Sequence, residues 1–295
     1  MPNTTKKETR PHGSDYRPFR FSKAQIPVWT PPNIPYSLPH WHNEFEINYV
    51  VSGSILYHRE ENKIIGHEGD IFLNPPNSIH SIFTHSTKKD TVYYTLVFKD
   101  SLLYSSAKEQ LYIDFFRHLN NHSATVSSPI RKDHPYYEEI RTSVENIFSR
   151  KDQEDFTTML LIKSELLRIM WYLWENGDIQ LTNSNKTTQH DDIATILEYI
   201  RHHYTENISL PMLSTLVYIS PTTLATKFKK EVGCSIITYV NQLRIKKACR
   251  MLCENQKKII EISEECGFNS LSNFEKQFFK IMDIPPKKYR EKAIT

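Results

Sequence analysis

The sequence predicts two domains, an antiparallel β barrel or sandwich followed by an all-α domain. A chain of 295 residues is longer than one hydrophobic core usually serves. Its hydrophobic fraction of 39% and charged fraction of 24% are typical of folded globular chains and argue against disorder. The hydrophobic period changes from two to that of a helix near residue 107, which sets the order of the two classes.

The strands are predicted between residues 45 and 98. Apolar and polar residues alternate over Phe45–Val51, and turn residues separate the short runs that follow. The proline-rich segment before them, from Pro27 to Pro39, is predicted to be an extended arm. The other predicted strands are Ile55–Arg59, Ile64–Gly66, Ile71–Asn74, Ser81–Thr84 and Val92–Phe98.

Two helices are predicted next, Tyr136–Ser149 and Phe156–Asn176, with Gly177 as a C-terminal cap. The second helix has more apolar residues than one buried face can cover, so a second apolar strip is expected to be exposed. Because such strips mark interfaces, we predict a homodimer formed through residues 136–176. The polar run Leu181–His190 is predicted to be a flexible linker that separates the barrel from the last domain. The expected units are residues 1–134, 135–180, 181–190 and 191–295.

Missing motifs argue against the commonest enzyme classes. None of the seven glycines forms a dinucleotide-binding fingerprint or a phosphate-binding P-loop, and the nucleophile elbow and H-E-x-x-H pair are also absent. The first thirty residues lack an apolar segment, and Lys163, Glu165 and Arg168 interrupt the most apolar stretch. We therefore expect a cytoplasmic protein without a membrane partner. Cys249 and Cys253 share a predicted helical face. They are interpreted either as reduced thiols packed in the fold or as a pair of zinc ligands.

The C-terminal part contains the helix-turn-helix pattern twice. Ser209 and Ser220 stand at predicted helix starts, Gly233 ends a helix, and a long helix at Ser235–Glu254 separates the two motifs. The net charge after residue 188 is +4, from 16 basic and 12 acidic residues, which does not decide between a nucleic-acid-binding domain and a small helical bundle. The short helices are predicted at Leu210–Val217, Thr222–Val232, Ile259–Cys266 and Leu271–Met282.

Residues from Ile193 to Arg290 resemble the AraC/XylS family of transcriptional regulators. The resemblance rests on Arg244-Ile-Lys-Lys-Ala248, Leu252, Ile259-Ile-Glu-Ile262, Cys266-Gly-Phe268, Phe274, Phe278 and Ile284-Pro-Pro-Lys-Lys-Tyr-Arg290. It implies a seven-helix domain whose two recognition helices enter consecutive major grooves of double-stranded DNA. It also implies that the protein contacts RNA polymerase.

The resemblance also implies which residues contact DNA. The base-reading positions are Thr222, Ala225, Thr226, Ser272, Asn273 and Lys276. Position 226 is often arginine in the family, and the threonine here leaves the first helix poorly suited to guanine. Thr223 and Ser270 add contacts at the helix starts. Phosphate contacts, or alternatively solvated surface charges, are Lys227, Lys229, Lys230, Arg244, Lys280, Lys287 and Arg290.

The N-terminal half resembles the cupin fold. His40-Trp-His42, Glu46 and Gly53 match the first cupin motif, and Gly69, Pro75 and His80 match the second. Because His40, His42 and Glu46 have the same parity on an extended chain, they are expected to point into the barrel lumen. The predicted effector site consists of His40, Trp41, His42, Glu46, Asn48 and His80.

The leading interpretation is a one-component regulator with a cupin-like effector-binding barrel, dimerising helices and a tandem helix-turn-helix domain. The resemblance favours a carbohydrate effector, no enzymatic activity and no cofactor. No metal is expected; if one were present, His40, His42, Glu46 and His80 would hold it. The alternatives are a metal-dependent cupin enzyme fused to a DNA-binding domain and a stress-type activator without an effector.

Overall fold

Two four-stranded antiparallel sheets face each other in the N-terminal half of the computed structural model, which describes residues 18–59, 62–85, 88–121, 123–153, 155–181, 189–254 and 257–294. The first sheet consists, in spatial order, of β1 (Phe19–Ile26), β8 (Thr91–Phe98), β3 (Phe45–Ser52) and β6 (Ile71–Asn74). The second consists of β2 (Pro35–His40), β7 (His80–Thr84), β4 (Ser54–Arg59) and β5 (Asn62–His67). The predicted two-domain fold, with its antiparallel β domain and its helical domain, is confirmed.

The proline-rich segment is not only an extended arm, because it contains β2, and β1 precedes it. β2 is an edge strand whose register against β7 shifts between Pro35 and Ser37 and again before His40. Proline lacks the N–H that a central strand must donate, but an irregular edge strand tolerates it. Because of its prolines, β2 was not predicted from the sequence, although it contributes part of the candidate site.

The alternation in β3 gives the barrel its two faces. Phe45 and Ile47 point to a core shared with the following helices, whereas Val50 packs between the two sheets. Glu46 and Asn48 have the parity of Val50 and are also buried. The polar side of β3 therefore faces the inside of the barrel.

Helices cover the outer face of the first sheet. A 3-10 turn (Asp100–Leu102) and a π-helical turn (Tyr112–Phe116) lead into α1 (Arg117–Asn120), and α2 (Tyr137–Ser149) and α3 (Phe156–Glu175) follow. Asp155 caps α3 by accepting a hydrogen bond of 2.8 Å from the Thr158 backbone N–H. A two-stranded ribbon joins β9 (Ala124–Val126) to β10 (Ile179–Leu181).

The boundaries of the predicted linker differ from the structure. Leu181 belongs to β10, and residues 189 and 190 already belong to the next helix. Residues 182–188 lie outside the described residues. No helix in the described ranges is long and apolar enough to cross a membrane.

Seven helices form the C-terminal part of the described chain. They surround two hydrophobic cores, one for each helix-turn-helix motif, and α7 contributes to both. The four cysteines all lie in this part and are free thiols. The helices are α4 (Gln189–His203), α5 (Leu210–Leu216), α6 (Pro221–Val232), α7 (Ile236–Glu254), α8 (Ile259–Glu265), α9 (Leu271–Met282) and α10 (Pro286–Ile294).

Candidate functional site

Four of the six predicted effector-site residues meet in one cluster inside the barrel, which we call the lumen cluster: His40, His42, Glu46 and His80. One donor atom of each residue lies within 4.8 Å of a donor atom of every other. The pairing of β2 with β7 sets His40 opposite His80, with ring centroids 4.3 Å apart. The sequence indicated that His40, His42 and Glu46 share a face, and strand pairing adds His80.

Glu46 lies at the centre of the lumen cluster. Its Oε2 is 3.2 Å from Nε2 of His42, and its Oε1 is 3.2 Å from Nε2 of His80. Burial by itself raises the pKa of Glu46, but the two imidazoles, His80 first, outweigh it and hold the pKa well below its usual range. Glu46 is therefore an ionised carboxylate in a buried site.

The histidine rings of the lumen cluster are oriented by backbone carbonyls. Nδ1 lies 2.8 Å from Leu38 O in His40, 3.0 Å from Glu44 O in His42 and 2.9 Å from Ser78 O in His80. A carbonyl oxygen only accepts, so each Nδ1 carries the donated proton. Burial by itself lowers the pKa of His80, but the Glu46 carboxylate outweighs it and raises that pKa, which favours a proton on Nε2 of His80 between the two side chains.

This donor set fits a divalent transition-metal ion. Imidazole nitrogens and a carboxylate are common ligands of zinc, iron, manganese and nickel. Ligand bonds of about 2.0–2.2 Å place neighbouring donor atoms about 3–4.3 Å apart, close to the separations in the lumen cluster. Hydrogen bonds from Nδ1 to carbonyl oxygens are the usual second contact of metal-bound histidines.

Asn48 extends the polar interior beyond the lumen cluster. Its Nδ2 donates to Glu46 Oε1 at 2.6 Å, and its Oδ1 accepts from Thr95 Oγ1 at 2.7 Å. Two further neighbours, Tyr57 and Asn74, are hydrogen-bonded to each other and almost fully buried, and they were not predicted from the sequence. Asn74 pairs with Glu46 across β3 and β6. Its position at the end of an otherwise apolar strand was the available signal.

Trp41 is not in the lumen, which corrects its prediction as an effector contact. Its indole N–H donates to Ala194 O on α4 at 3.1 Å, and its ring packs on the core of the first helix-turn-helix motif. Tyr239 O–H also donates to Pro39 O at 2.7 Å. The expectation that helices and a linker separate the barrel from the last domain is therefore wrong.

The same segment reaches the second helix-turn-helix motif. Trp29 makes an edge contact with Tyr289, with ring centroids 6.1 Å apart, and Lys292 Nζ lies 5.6 Å from the Trp29 ring centre. Ile34 is buried with the core of the second motif. Residues 29–41, which we call the docking segment, thus contact both motifs.

The first recognition helix, α6, exposes most of its predicted DNA contacts. Thr222, Thr223, Thr226 and Lys229 are exposed and Ala225 is half-buried. Two of the hydroxyls have local partners: Thr226 Oγ1 donates to Thr222 O at 3.0 Å, and Thr223 Oγ1 lies 2.7 Å from the Ser220 cap. Lys227 forms an ion pair of 2.8 Å with Asp192. In this structure the side chain of Lys227 is therefore bound to α4 through Asp192.

The second recognition helix, α9, presents a polar face with a longer donor. Ser270 accepts a hydrogen bond of 3.3 Å from the Asn273 backbone N–H and so caps the helix. The remaining predicted contacts on this helix are all exposed: Ser272, Asn273, Lys276 and Lys280. Their buried neighbours Phe274 and Phe278 fill the core behind them.

Two predicted phosphate contacts have partners inside the domain instead. Arg244 donates to Tyr204 O at 2.6 Å and to Glu206 O at 2.8 Å, and its guanidinium lies 5.5 Å from the centre of the Phe268 ring. Arg290 donates to Lys257 O at 2.7 Å. Both arginines therefore link separate parts of the fold in this structure.

Comparisons with known proteins match both halves of the chain. Residues 29–170 match the family model of the AraC-like ligand binding domain, and residues 213–292 match that of a helix-turn-helix domain. The melibiose operon regulatory protein of Escherichia coli strain K12 is 22% identical over 296 residues, covering 99% of this chain and 94% of that protein.

A second relative and a solved structure are also similar to most of this chain. The HTH-type transcriptional regulator YdeC of Bacillus subtilis strain 168, itself uncharacterized, is 24% identical and covers 85% of each chain. The crystal structure of ToxT from Vibrio cholerae has the same overall fold, with a TM-score of 0.54 and 13% identity over 93% of this chain and 98% of that one. Consecutive matches to a ligand-binding domain and a helix-turn-helix domain, with full-length relatives that are regulators, show that this chain belongs to the AraC/XylS family of DNA-binding transcription regulators.

Proposed function

We propose that this regulator reads double-stranded DNA with the first turns of α6 and α9, placed in consecutive major grooves. The observation that carries the proposal is that both helices expose polar N-terminal turns although the docking segment contacts both motifs. In helix-turn-helix proteins these turns contact base edges. Domain units at residues 1–134, 135–180 and 191–295 remain part of this proposal.

The two recognition helices differ in the bases they suit. Thr222, Ala225 and Thr226 offer methyl groups and short hydroxyls, which favour contact with thymine methyls. Lys276 and Asn273 on α9 offer longer donors to purine edges. Lys229 and Lys280 are placed to contact phosphates on either side.

DNA selection tests this assignment directly. Duplexes selected from random sequence by the purified chain should share a site with two halves one helical turn apart, about 34 Å. Hydroxyl-radical footprinting should protect one face of that site. Selected duplexes without a shared sequence would refute the proposal of specific reading.

We further propose that the barrel binds a small-molecule effector and that a carbohydrate is the class to test first. His40, His42, Glu46, Asn48 and His80 supply the donors and acceptors that a polyol needs. The melibiose operon regulatory protein, similar over nearly the whole chain, supports this class. The relatives named as regulators also support a sensor without enzymatic activity.

A thermal-shift screen against sugars tests the effector. A sugar that binds should raise the melting temperature of the parent, and Glu46→Ala should weaken its binding by about 1–3 kcal/mol, because ligand hydroxyls lose a buried acceptor. Asn48→Ala is the companion variant on the same strand face. No shift with any sugar would favour another effector class or none.

We also propose that α2 and α3 form a homodimer, with RNA polymerase as a further partner once the dimer is on DNA. Phe156 is 71% exposed, Leu160 55% and Trp171 54%, so α3 carries an apolar stripe on its outer side. Sedimentation should give a dimer at micromolar concentrations, and Leu160→Glu should convert it to a monomer. A monomeric parent at tens of micromolar would refute this interface.

A further inference from the structure

The two helix-turn-helix motifs have separate cores on one continuous helix. The first turns of α7, from Ile236 to Val240, belong to the core of the first motif, and its later turns, from Ile245 to Leu252, belong to the core of the second. Long helices are rarely straight, and a bend or twist of α7 between these two groups would change the separation of α6 and α9. The contacts that cross between the motifs therefore decide where the two recognition helices lie.

One crossing contact lies inside the helical domain. Arg244, in the middle of α7, donates to the carbonyl oxygens of Tyr204 and Glu206 in the α4–α5 turn. Its guanidinium also lies over the ring of Phe268 in the α8–α9 turn. A contact at one place still leaves a rotation about that place, so a fixed geometry needs a second contact elsewhere.

The docking segment supplies such a second contact, and it comes from the barrel. Trp41 at its C-terminal end is hydrogen-bonded to α4 of the first motif, and Trp29 at its N-terminal end contacts α10 of the second. Between these ends, Ile34 is buried in the core of the second motif and β2 packs against α7. The docking segment thus lies beside α7 and is attached to both motifs.

The docking segment is also stiff. Four of its residues, at positions 31, 32, 35 and 39, are prolines, whose rings fix the backbone angle φ. Thr84 on β7 fastens the part before β2, because its hydroxyl donates to Pro31 O and accepts a hydrogen bond of 2.8 Å from the Ile34 N–H. β2 then pairs with β7. The segment therefore cannot lengthen or bend without also deforming the second sheet of the barrel.

We propose that the docking segment holds the two helix-turn-helix motifs at a fixed separation, so that Trp29 and Trp41 restrict the half-site spacing that the protein accepts. A DNA site with another spacing would be bound only after one end of the segment detaches, and the cost of detachment is subtracted from the affinity for that site. Both tryptophans are positioning residues that act through α10 and α4. The inference rests on the proposed function in treating α6 and α9 as the DNA readers.

The DNA test uses the purified full-length chain, the duplex that it selects from random sequence, and the same duplex with one base pair inserted between its half-sites. The insertion moves one half-site by about 3.4 Å along the helix axis and by about 35° around it. The parent should bind the inserted duplex at least tenfold more weakly, because one recognition helix loses its base contacts. Trp29→Ala and Trp41→Ala should each reduce this difference to less than threefold.

A double variant and a matched control sharpen the test. Release of either end should free the motifs, so the Trp29→Ala, Trp41→Ala double variant should tolerate the insertion no better than the single variants. Val28→Ala is the control, because Val28 adjoins Trp29, is 50% exposed and lies outside the docking segment. It should keep the tenfold difference.

Hydrogen–deuterium exchange without DNA tests whether the docking segment restrains α7. Both single variants should exchange at least threefold faster than the parent in residues 240–247, where α7 passes from one core to the other. Trp29→Ala should also exchange faster in residues 286–294, and Trp41→Ala in residues 193–203. Far-UV circular dichroism of each variant excludes loss of folding as the cause.

Two results would overturn the proposal. One is unchanged exchange in residues 240–247 of both variants; the other is a tenfold difference between the two duplexes that persists in both variants, which would include equal weakening on both duplexes. A parent that selects no shared site would refute the proposed function instead, and the exchange experiment would still decide whether the docking segment holds the motifs together.

Discussion

The Arg244→Lys variant distinguishes two possible roles of Arg244, stabilising the fold and contacting a DNA phosphate. The substitution keeps the positive charge and removes the planar guanidinium donor group. The guanidinium donates to two carbonyl oxygens, Tyr204 O at 2.6 Å and Glu206 O at 2.8 Å, and lies 5.5 Å from the Phe268 ring centre. Lysine has one ammonium group and cannot reproduce this fork over the ring. We expect the variant to lose domain stability rather than DNA contact.

The three contacts set the magnitude. A hydrogen bond from a charged donor contributes about 1.5–3 kcal/mol, and the solvent-exposed bond to Glu206 contributes less than that range. A guanidinium over an aromatic ring adds about 0.5–1 kcal/mol at an exposed site. Allowing lysine to keep one weak bond, the free energy of unfolding of the domain should fall by about 2–3 kcal/mol. For about 100 residues that corresponds to a drop on the order of 10 °C in Tm.

Two assays give the result and its control. All four tryptophans precede residue 175, so melting of the helical domain is followed by circular dichroism at 222 nm. Binding of a selected duplex is measured at several salt concentrations, and its salt slope should equal that of the parent. Lys229→Ala should do the opposite, lowering the slope by about 0.9 with unchanged melting. An Arg244→Lys protein that melts like the parent but binds DNA with a lower slope would refute the structural role.

Three further predictions concern the reader and the barrel. Lys276→Ala should relax base preference in one half of the site at a cost of about 1–3 kcal/mol, measured by repeating the DNA selection; equal weakening on random DNA would mean that it holds a phosphate instead. Gly267→Ala should destabilise the domain by more than about 3 kcal/mol in the same melting assay, because φ is +87° and the added Cβ would lie 2.3 Å from Thr205 O. Gly233→Ala, at φ +81° with open space around it, should cost only about 1 kcal/mol, and equal losses in the two variants would contradict the clash. Burial lowers the pKa of His58 to about 4, below the usual value of about 6.5, so the unfolded state gains the proton first and stability is lost as pH falls through this window. His58→Asn should therefore lose less stability between pH 7 and pH 4 in urea titrations, and an unchanged pH profile would show that His58 does not contribute.

Local patterns determined the elements and which side of each element faces inward. Alternation in Phe45–Val51 was enough to predict β3 and the inward parity of Glu46. Ser220 and Pro221 predicted the start of α6, and Ser270 the start of α9, because capping needs only neighbouring residues. Trp41 was predicted as an effector contact because its acceptor on α4 could not be read from the sequence.

Tertiary structure decided what these inward and outward side chains meet. The pairing of β2 with β7 brings His80 beside His40, and the docking of α4 gives Trp41 an acceptor 153 residues away. Arg244 resembled a phosphate contact because its charge and spacing were visible, whereas the carbonyls it binds were not. Periodicity and capping arise from contacts a few residues apart, so they can be read from short windows. Long-range pairing depends on the free energy of the whole packed chain, and only the folded structure shows which distant surfaces bury one another.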